Sequence, residues 1–465
     1  MIEPGPDPQA VRKSSSWRIW LIALLLGACY ALAYLDRQII SLLIKPIKAS
    51  LDVSDTEFGL LQGVSFSLFF VITTYPLAWL ADRTRHSWVM AGSVAGWSLM
   101  TMTSGLAHSF TQLMFSRIGV AVGEAGLTPA AQATLGERFD RRPLAVATSL
   151  FMLAPFVGGG LALSVGAALY TWAQHLPATS LPTRMGIQAW QLVFLIVGAF
   201  GLIPAALLLL INDRRQNKAA ASDEVRISEV FALFRREWRI FMLYPIAMAF
   251  VMVVLASYVT WLPAQIMRSK DVGEAQIGAL FGPVYVIAGV TGTLLAGLIV
   301  AVRGGPNPVR TVLLYILTVL SLLWPLSILG QLVSSLTAEL TIMGMALFLI
   351  SSVTSLSGLT YQYLTPQRLR AQAMAIMAMI TALAGTGLGP VLAGFLSDHL
   401  QGSRYPLSTA LALIGAVCVP CALTLMGLVL REHQRRRLDL KLPVDDPAHH
   451  WAVSPPSTAS SAPVI

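Results

Sequence analysis

The sequence predicts an all-α membrane protein with twelve transmembrane helices in two six-helix bundles related by a pseudo-two-fold axis. Three observations predict it. Apolar stretches recur along the whole chain, each about 20 residues, long enough at about 1.5 Å per residue to cross a hydrocarbon core of about 30 Å. Only 12% of the 465 residues are charged against 55% hydrophobic, where soluble domains carry about 25% charged residues. The second half also repeats features of the first at a constant offset.

In chain order the apolar runs place helices at 17–45, 57–81, 88–108, 110–135, 143–172 and 190–211. A second set follows at 240–265, 277–301, 311–330, 338–362, 371–397 and 407–430. Residues 1–16 form a polar arm; 17–211 and 240–430 are the two bundles. Residues 212–239 are a linker that turns amphipathic around Val230, Phe231 and Phe234, the pattern of a helix lying along a membrane surface. From 431 the chain is basic, then rich in Pro, Ser and Ala, and is expected to be disordered. The first apolar run is too long for a signal peptide and lacks its cleavage site. Cys29, Cys418 and Cys421 all fall in apolar runs, so neither a disulfide framework nor a metal site is implied.

The basic residues set the orientation. With both termini on one side, that side carries 24 of the 32 Lys and Arg and the other side 6, while Arg37 and Arg117 fall inside helices. The positive-inside bias makes the termini cytoplasmic. It also accounts for the net charge of +9, which is topogenic and no sign of nucleic-acid binding.

The repeat is read from small residues. Gly59 and Gly63 in "SDTEFGLLQG" match Gly278 and Gly282 in "GEAQIGALFG" at an offset of 219. Pro155 to Gly159 in the first half has the spacing of Pro390 to Gly394 in the second. Small residues four apart also occur simply to let helices approach, but several matches in order indicate a duplicated six-helix unit.

A parallel 6+6 repeat around a basic central loop resembles the major facilitator superfamily. "YPLAWLADRTRHS" is similar to its signature after the second helix, with Leu80, Ala81, Asp82 and Arg83 retained, Ala78 replacing the leading Gly, and Arg85, His86 and Ser87 where the late Gly and basic pair stand. With "LDRQIISLLIKPIKASLDVSDTEFGLLQG" and "WSLMTMTSGLAHSFTQLMFSRIGVAVGEAGLTPAA", residues 34–150 resemble the spinster-like family. That resemblance implies a proton-linked carrier of lysolipids or sphingoid phosphates, with coupling roles for Asp36 and Glu124.

The residues themselves point to the same place. Asp36 and Arg37 sit in the first helix within otherwise apolar sequence, where one charge costs about 2.5 to 3.5 kcal/mol on insertion scales. Arg117 and Glu124 are seven apart in the fourth helix, hence on one face about 10 Å apart along the axis. Opposite helix directions put Arg117 near the depth of Asp36, so the expectation is a charge-neutral network of Asp36, Arg37, Arg117 and Glu124. Such pairs can serve only to lock the two helices, and intramembrane carboxylates also mark proton paths. Glu124 is the better proton carrier of the two acids, because Gly123 and Gly126 leave room beside it; Arg37 and Arg117 are candidates for a substrate head group.

The second half carries no intramembrane charge in this reading. Ser352 falls opposite Glu124, in a run of hydroxyls and aromatics, and the asymmetry favours an amphiphile with a charged head and an apolar tail. Tyr30, Tyr34, Tyr258, Trp261, Tyr285 and Tyr361 are candidates to line the cavity, or to anchor helix ends at the interface. Asp82 is expected to gate the cytoplasmic side through the start of the eleventh helix near Gln372 and Ala373, or through Arg138, with Arg83 beside it. No GxxxxGK[ST], HExxH or serine-elbow pattern is present, so primary pumping and hydrolysis lack support. The expected protein is a monomeric, multi-pass carrier of the bacterial inner membrane, with no cofactor but a proton gradient and with membrane lipids and a small amphipathic substrate as partners. A drug or small-organic-acid carrier and a membrane receptor are the competing readings.

Overall fold

The computed structural model describes residues 17–212, 227–303, 307–400 and 402–439. Twelve helical spans run through it. They are α1 (Trp17–Leu42), α2 (Asp55–Arg83), α3 (His86–Ser104), α4 (Phe110–Glu124 continued by Leu127–Arg138), α5 (Arg141–Gln174) and α6 (Ala189–Leu209). The second half holds α7 (Leu243–Lys270), α8 (Glu274–Arg303), α9 (Pro308–Leu332), α10 (Leu336–Leu364), α11 (Arg370–Ile380, Thr381–Gly387 and Leu388–His399) and α12 (Pro406–Asp439). Among the described residues ten spans are long and apolar enough to cross a bilayer by composition. Of the other two, α3 has that signal diluted by Ser93, Ser98 and Thr101, and α4 is broken after Glu124 into helices of 15 and 12 residues. The even number of spans leaves residues 17 and 439 on one face, here the terminal face; the loops after α1, α7 and α11 lie on the opposite face.

Several spans are interrupted, where the apolar pattern predicted continuous helices. α2 breaks at Gly63, and α4 breaks at Ala125 and Gly126 directly after Glu124. α11 widens into a π-helix over Thr381–Gly387. Irregular backbone at bilayer depth persists where protein or a cavity satisfies the freed polar groups. α12 runs to Asp439, so residues 431–439 are helical and not disordered as expected. The linker helix, Ile227–Arg236, lies where the amphipathic stretch was read. It buries Val230 and Phe234, the latter with its ring 5.5 Å from Phe241, and leaves Phe231 outside.

The repeat is visible in the backbone. Asp52 closes the segment after α1 and Asp271 closes α7, both left-handed at φ 53°, and the two are 219 residues apart. Asp tolerates that conformation better than most non-glycine residues. The small residues at the same offset sit where the halves touch. A Cβ on Gly59 would lie 2.5 Å from the Pro390 carbonyl oxygen, and one on Gly63 2.2 Å from that of Gly387. On the other side of the molecule, a Cβ on Gly278 would be 2.3 Å from Ala167 and one on Gly282 2.1 Å from the Ser164 hydroxyl. Thus α2 meets α11 and α5 meets α8 at backbone-to-backbone distance, a geometry only glycine permits.

Candidate transport site

α1, α3 and α4 bring the four intramembrane charges together because their small residues let the helices touch. Gly158 of α5 lies against the backbone of Ala31 in α1, Gly119 against Met100, and Gly123 against the backbone of Trp97. Gly123 and Gly126 therefore leave no room for water or substrate as expected. Trp97, Ser93 and Leu77 occupy that space, and the glycines serve close packing of α4 on α3 and α2.

The charges pair across helices. Arg117 Nη1 lies 3.3 Å from Asp36 Oδ1, and Thr101 of α3 donates its hydroxyl to the other Asp36 oxygen. Arg37 Nη2 donates to Glu124 Oε2. The two pairs differ in access: the Arg117 side chain is 0% exposed and that of Asp36 3%, whereas Arg37 is 27% exposed. The Arg37 guanidinium stands 4.3 Å from the ring centre of Phe66, 4.7 Å from Tyr34 and 5.5 Å from Phe70. Cation–π contact of this kind contributes about 0.5 to 2 kcal/mol each, more where water is excluded, and so offsets part of the cost of holding Arg37 out of water. Gln62 caps the arrangement by donating to the Arg37 carbonyl at 3.2 Å. Glu124 Oε1 is buried and has no hydrogen-bond partner among the described residues.

The cavity-lining candidates divide. Tyr30 and Tyr34 are partly buried beside this network, Tyr30 stacked on Phe151. Tyr285 is nearly buried at the α5–α8 contact, against Gly159. The others are fully enclosed in the second half with their polar atoms used. Tyr258 donates to the Ser327 carbonyl, Trp261 to that of Pro390, Tyr361 to that of Phe241 and Ser352 to that of Leu349. Interior packing of α7 on α9, α11 and α10, not cavity lining, is their role in this conformation. Arg117, sealed in the interior, is likewise unable to meet a head group here.

The second half also holds a buried ion pair, at two helix ends. Glu339, at the start of α10, is fully buried with Lys270 Nζ 3.0 Å from its carboxylate, tying the end of α7 to α10. The sequence reading passed over both because each stands at a helix end beside a polar turn.

The opposite face is closed by a clasp absent from the sequence reading. Arg268 of α7 binds Asp55 of α2 through two hydrogen bonds, 2.7 and 2.8 Å, and Ser397 of α11 donates to the same carboxylate at 2.8 Å. Lys48 is paired with it too. In return Asp398 of α11 accepts from the backbone N–H of Asp55 and Thr56 and from the Thr56 hydroxyl, capping α2 from the other half. Asp55 stands one turn before Gly59, just outside the helix expected at 57–81. On the terminal face the gate candidates are apart: Asp82 is exposed and makes no hydrogen bond or ion pair among the described residues, and its expected contact with Gln372, Ala373 or Arg138 is not formed. Arg83 stacks 4.0 Å over Trp79 and Arg138 donates to the Asn212 carbonyl. His86, in place of the signature's basic residue, faces Glu137 at 3.7 Å.

Two six-helix halves that touch on one face, around buried paired charges, define a membrane transporter, and the chain belongs to the major facilitator superfamily: that family's model matches residues 26–385. A protein described as an MFS-type efflux pump from Mycolicibacterium smegmatis is 31% identical over 419 residues, covering 86% of this chain and 92% of the relative. Within the superfamily the chain is spinster-like. The Drosophila melanogaster protein spinster is 25% identical over 307 residues, 63% of this chain and 48% of that protein. A crystal structure of a bacterial homologue of the human lysosomal transporter spinster, inward-facing and unoccupied, superposes with a TM-score of 0.73 at 23% identity, over 90% of this chain and 98% of that one.

Proposed function

We propose that the protein is a proton-coupled secondary transporter of an amphipathic or lipid-like organic anion, of lysophospholipid or sphingoid-phosphate type, working by alternating access in a bacterial inner membrane. The observation that carries the reading is the unequal access of the two ion pairs. Asp36–Arg117 is sealed and hydrogen-bonded to Thr101, as a scaffold requires. Arg37 of the Arg37–Glu124 pair is partly exposed, and Glu124 keeps an oxygen without a partner among the described residues. A proton taken by Glu124 weakens its hold on Arg37 and leaves the guanidinium, framed by Tyr34, Phe66 and Phe70, able to hold an anionic head group. Proton and substrate then travel in one cycle through one pair. The excess of Lys and Arg on the terminal face makes that face cytoplasmic, so the conformation described here opens inward, and the Asp82 contact belongs to the state in which that face is closed.

The test is flux into proteoliposomes under an imposed pH gradient, across lysolipids, sphingoid phosphates and small organic acids. Gradient-driven accumulation of an amphiphile, lost in Glu124→Gln, is the expected result; accumulation unchanged by that substitution would exclude the mechanism. The similarity to an efflux pump over 86% of the chain favours a second reading, export of a drug or small organic acid, which the same panel separates.

A further inference from the structure

We propose that the opposite face carries a second, peripheral ligand site, formed only while the clasp is shut, that takes a small zwitterion bearing a phosphate and an ammonium donor. A cavity of about 370 Å³ lies against the clasp, lined by Lys48 and Asp55 from the first half and by Gln265, Arg268, Asp398 and Arg404 among others from the second. It is separate from the Arg37–Glu124 pair, which lies within the bundle of the first half.

Its polar groups are only partly satisfied. Gln265, buried to 1% exposure, gives its amide N–H to Ser408 at 2.8 Å and Ser269 at 3.2 Å, while its Oε1 is buried without a partner among the described residues. An orphaned buried acceptor costs about 1 to 3 kcal/mol, so the site favours a ligand that brings a donor. Arg404 lines the same cavity with no ion-pair partner among the described residues, its guanidinium resting 5.4 Å from the Tyr405 ring. The remaining charges are engaged: Asp55 by Arg268 and Lys48, Asp398 by the start of α2. Among the described residues, one cation without an ion-pair partner and one acceptor without a donor, in a space the size of a polar head group, match an anion joined to a donor. Three basic and two acidic groups leave the walls one charge positive, complementary to a phosphomonoester of an amino alcohol.

The first-half wall, Lys48 and Asp55, closes the cavity only in the shut conformer, so the ligand binds that conformer more tightly. It therefore shifts the population toward closure of the opposite face, and acts as a brake from that side.

The full-length protein in nanodiscs is titrated calorimetrically with phosphoethanolamine, with inorganic phosphate and with ethanolamine, and thermal stability is read on the same samples. Phosphoethanolamine is expected to bind and to raise the melting temperature, phosphate to bind about tenfold more weakly for want of the donor, and ethanolamine not to bind. Arg404→Gln is expected to weaken phosphoethanolamine at least about tenfold while its own melting temperature and basal flux stay unchanged, and Arg37→Gln to leave the binding intact. Lysophosphatidylethanolamine supplied in the nanodisc tells whether the same head group also arrives from the bilayer. Absence of phosphoethanolamine binding, equal affinity in Arg404→Gln, or loss of binding in Arg37→Gln instead would each overturn the site. None of these readouts depends on proton coupling.

Discussion

Replacing Arg117 with methionine separates the scaffold pair from the working pair. In the wild type the guanidinium lies 3.3 Å from Asp36 with neither side chain more than 3% exposed. At that distance and an effective dielectric of about 20, the attraction is about 5 kcal/mol. The methionine side chain fills most of the volume but leaves Asp36 with Thr101 as its one remaining hydrogen-bond partner among the described residues, and removing one member of a buried pair costs about 3 to 5 kcal/mol. The companion change Asp36→Asn removes the orphaned charge, so the double variant should recover most of that loss. The assay is thermal unfolding of the four purified proteins in one detergent, followed by size-exclusion chromatography, with the coupling taken from the double-mutant cycle. Arg117→Met alone should give the lowest melting temperature of the four. If it melts with the wild type, or if adding Asp36→Asn lowers stability further, the pair is not the scaffold described here.

Glu124→Gln keeps the shape of the side chain and should fold normally, retain substrate exchange and lose pH-driven accumulation; a melting temperature as low as that of Arg117→Met would show a structural clasp instead. Asp55→Asn leaves Arg268 without its two charged hydrogen bonds. It should weaken closure of the opposite face by about 1.5 to 3 kcal/mol, read as increased labelling of a cysteine at Ser397 from that side. Gly63→Val sets side-chain atoms where the Gly387 carbonyl oxygen now stands, 2.2 Å from the added Cβ, and should hold α2 and α11 apart with the same labelling signature. Cysteines at Thr84 and Ala178 should label from opposite sides of the membrane, Thr84 from the cytoplasm, and labelling from one side would remove the twelve-span topology.

The amino-acid sequence by itself determined the number of spans and the pairing of halves, because these follow from hydropathy and spacing, which are local. The 219-residue offset that joins Gly59 to Gly278 also joins Asp52 to Asp271, whose matching left-handed backbone is a local property of the chain. It determined, too, that Asp36, Arg37, Arg117 and Glu124 must compensate one another, since a bilayer tolerates few isolated charges. Only the tertiary structure decided which cation meets which carboxylate, that Thr101 completes the sealed pair, and that Phe66 and Phe70 frame the accessible one. It reversed the reading of Gly123, whose missing side chain admits Trp97 and not water, and it withdrew Tyr258, Trp261, Tyr361 and Ser352 from the cavity. The Asp55–Arg268 clasp lay beyond reach for the same reason: its members are 213 residues apart, at two helix ends that look like ordinary polar termini. A charge at a helix end can stand in water, so nothing local demands a partner, and only the register of one half against the other supplies it.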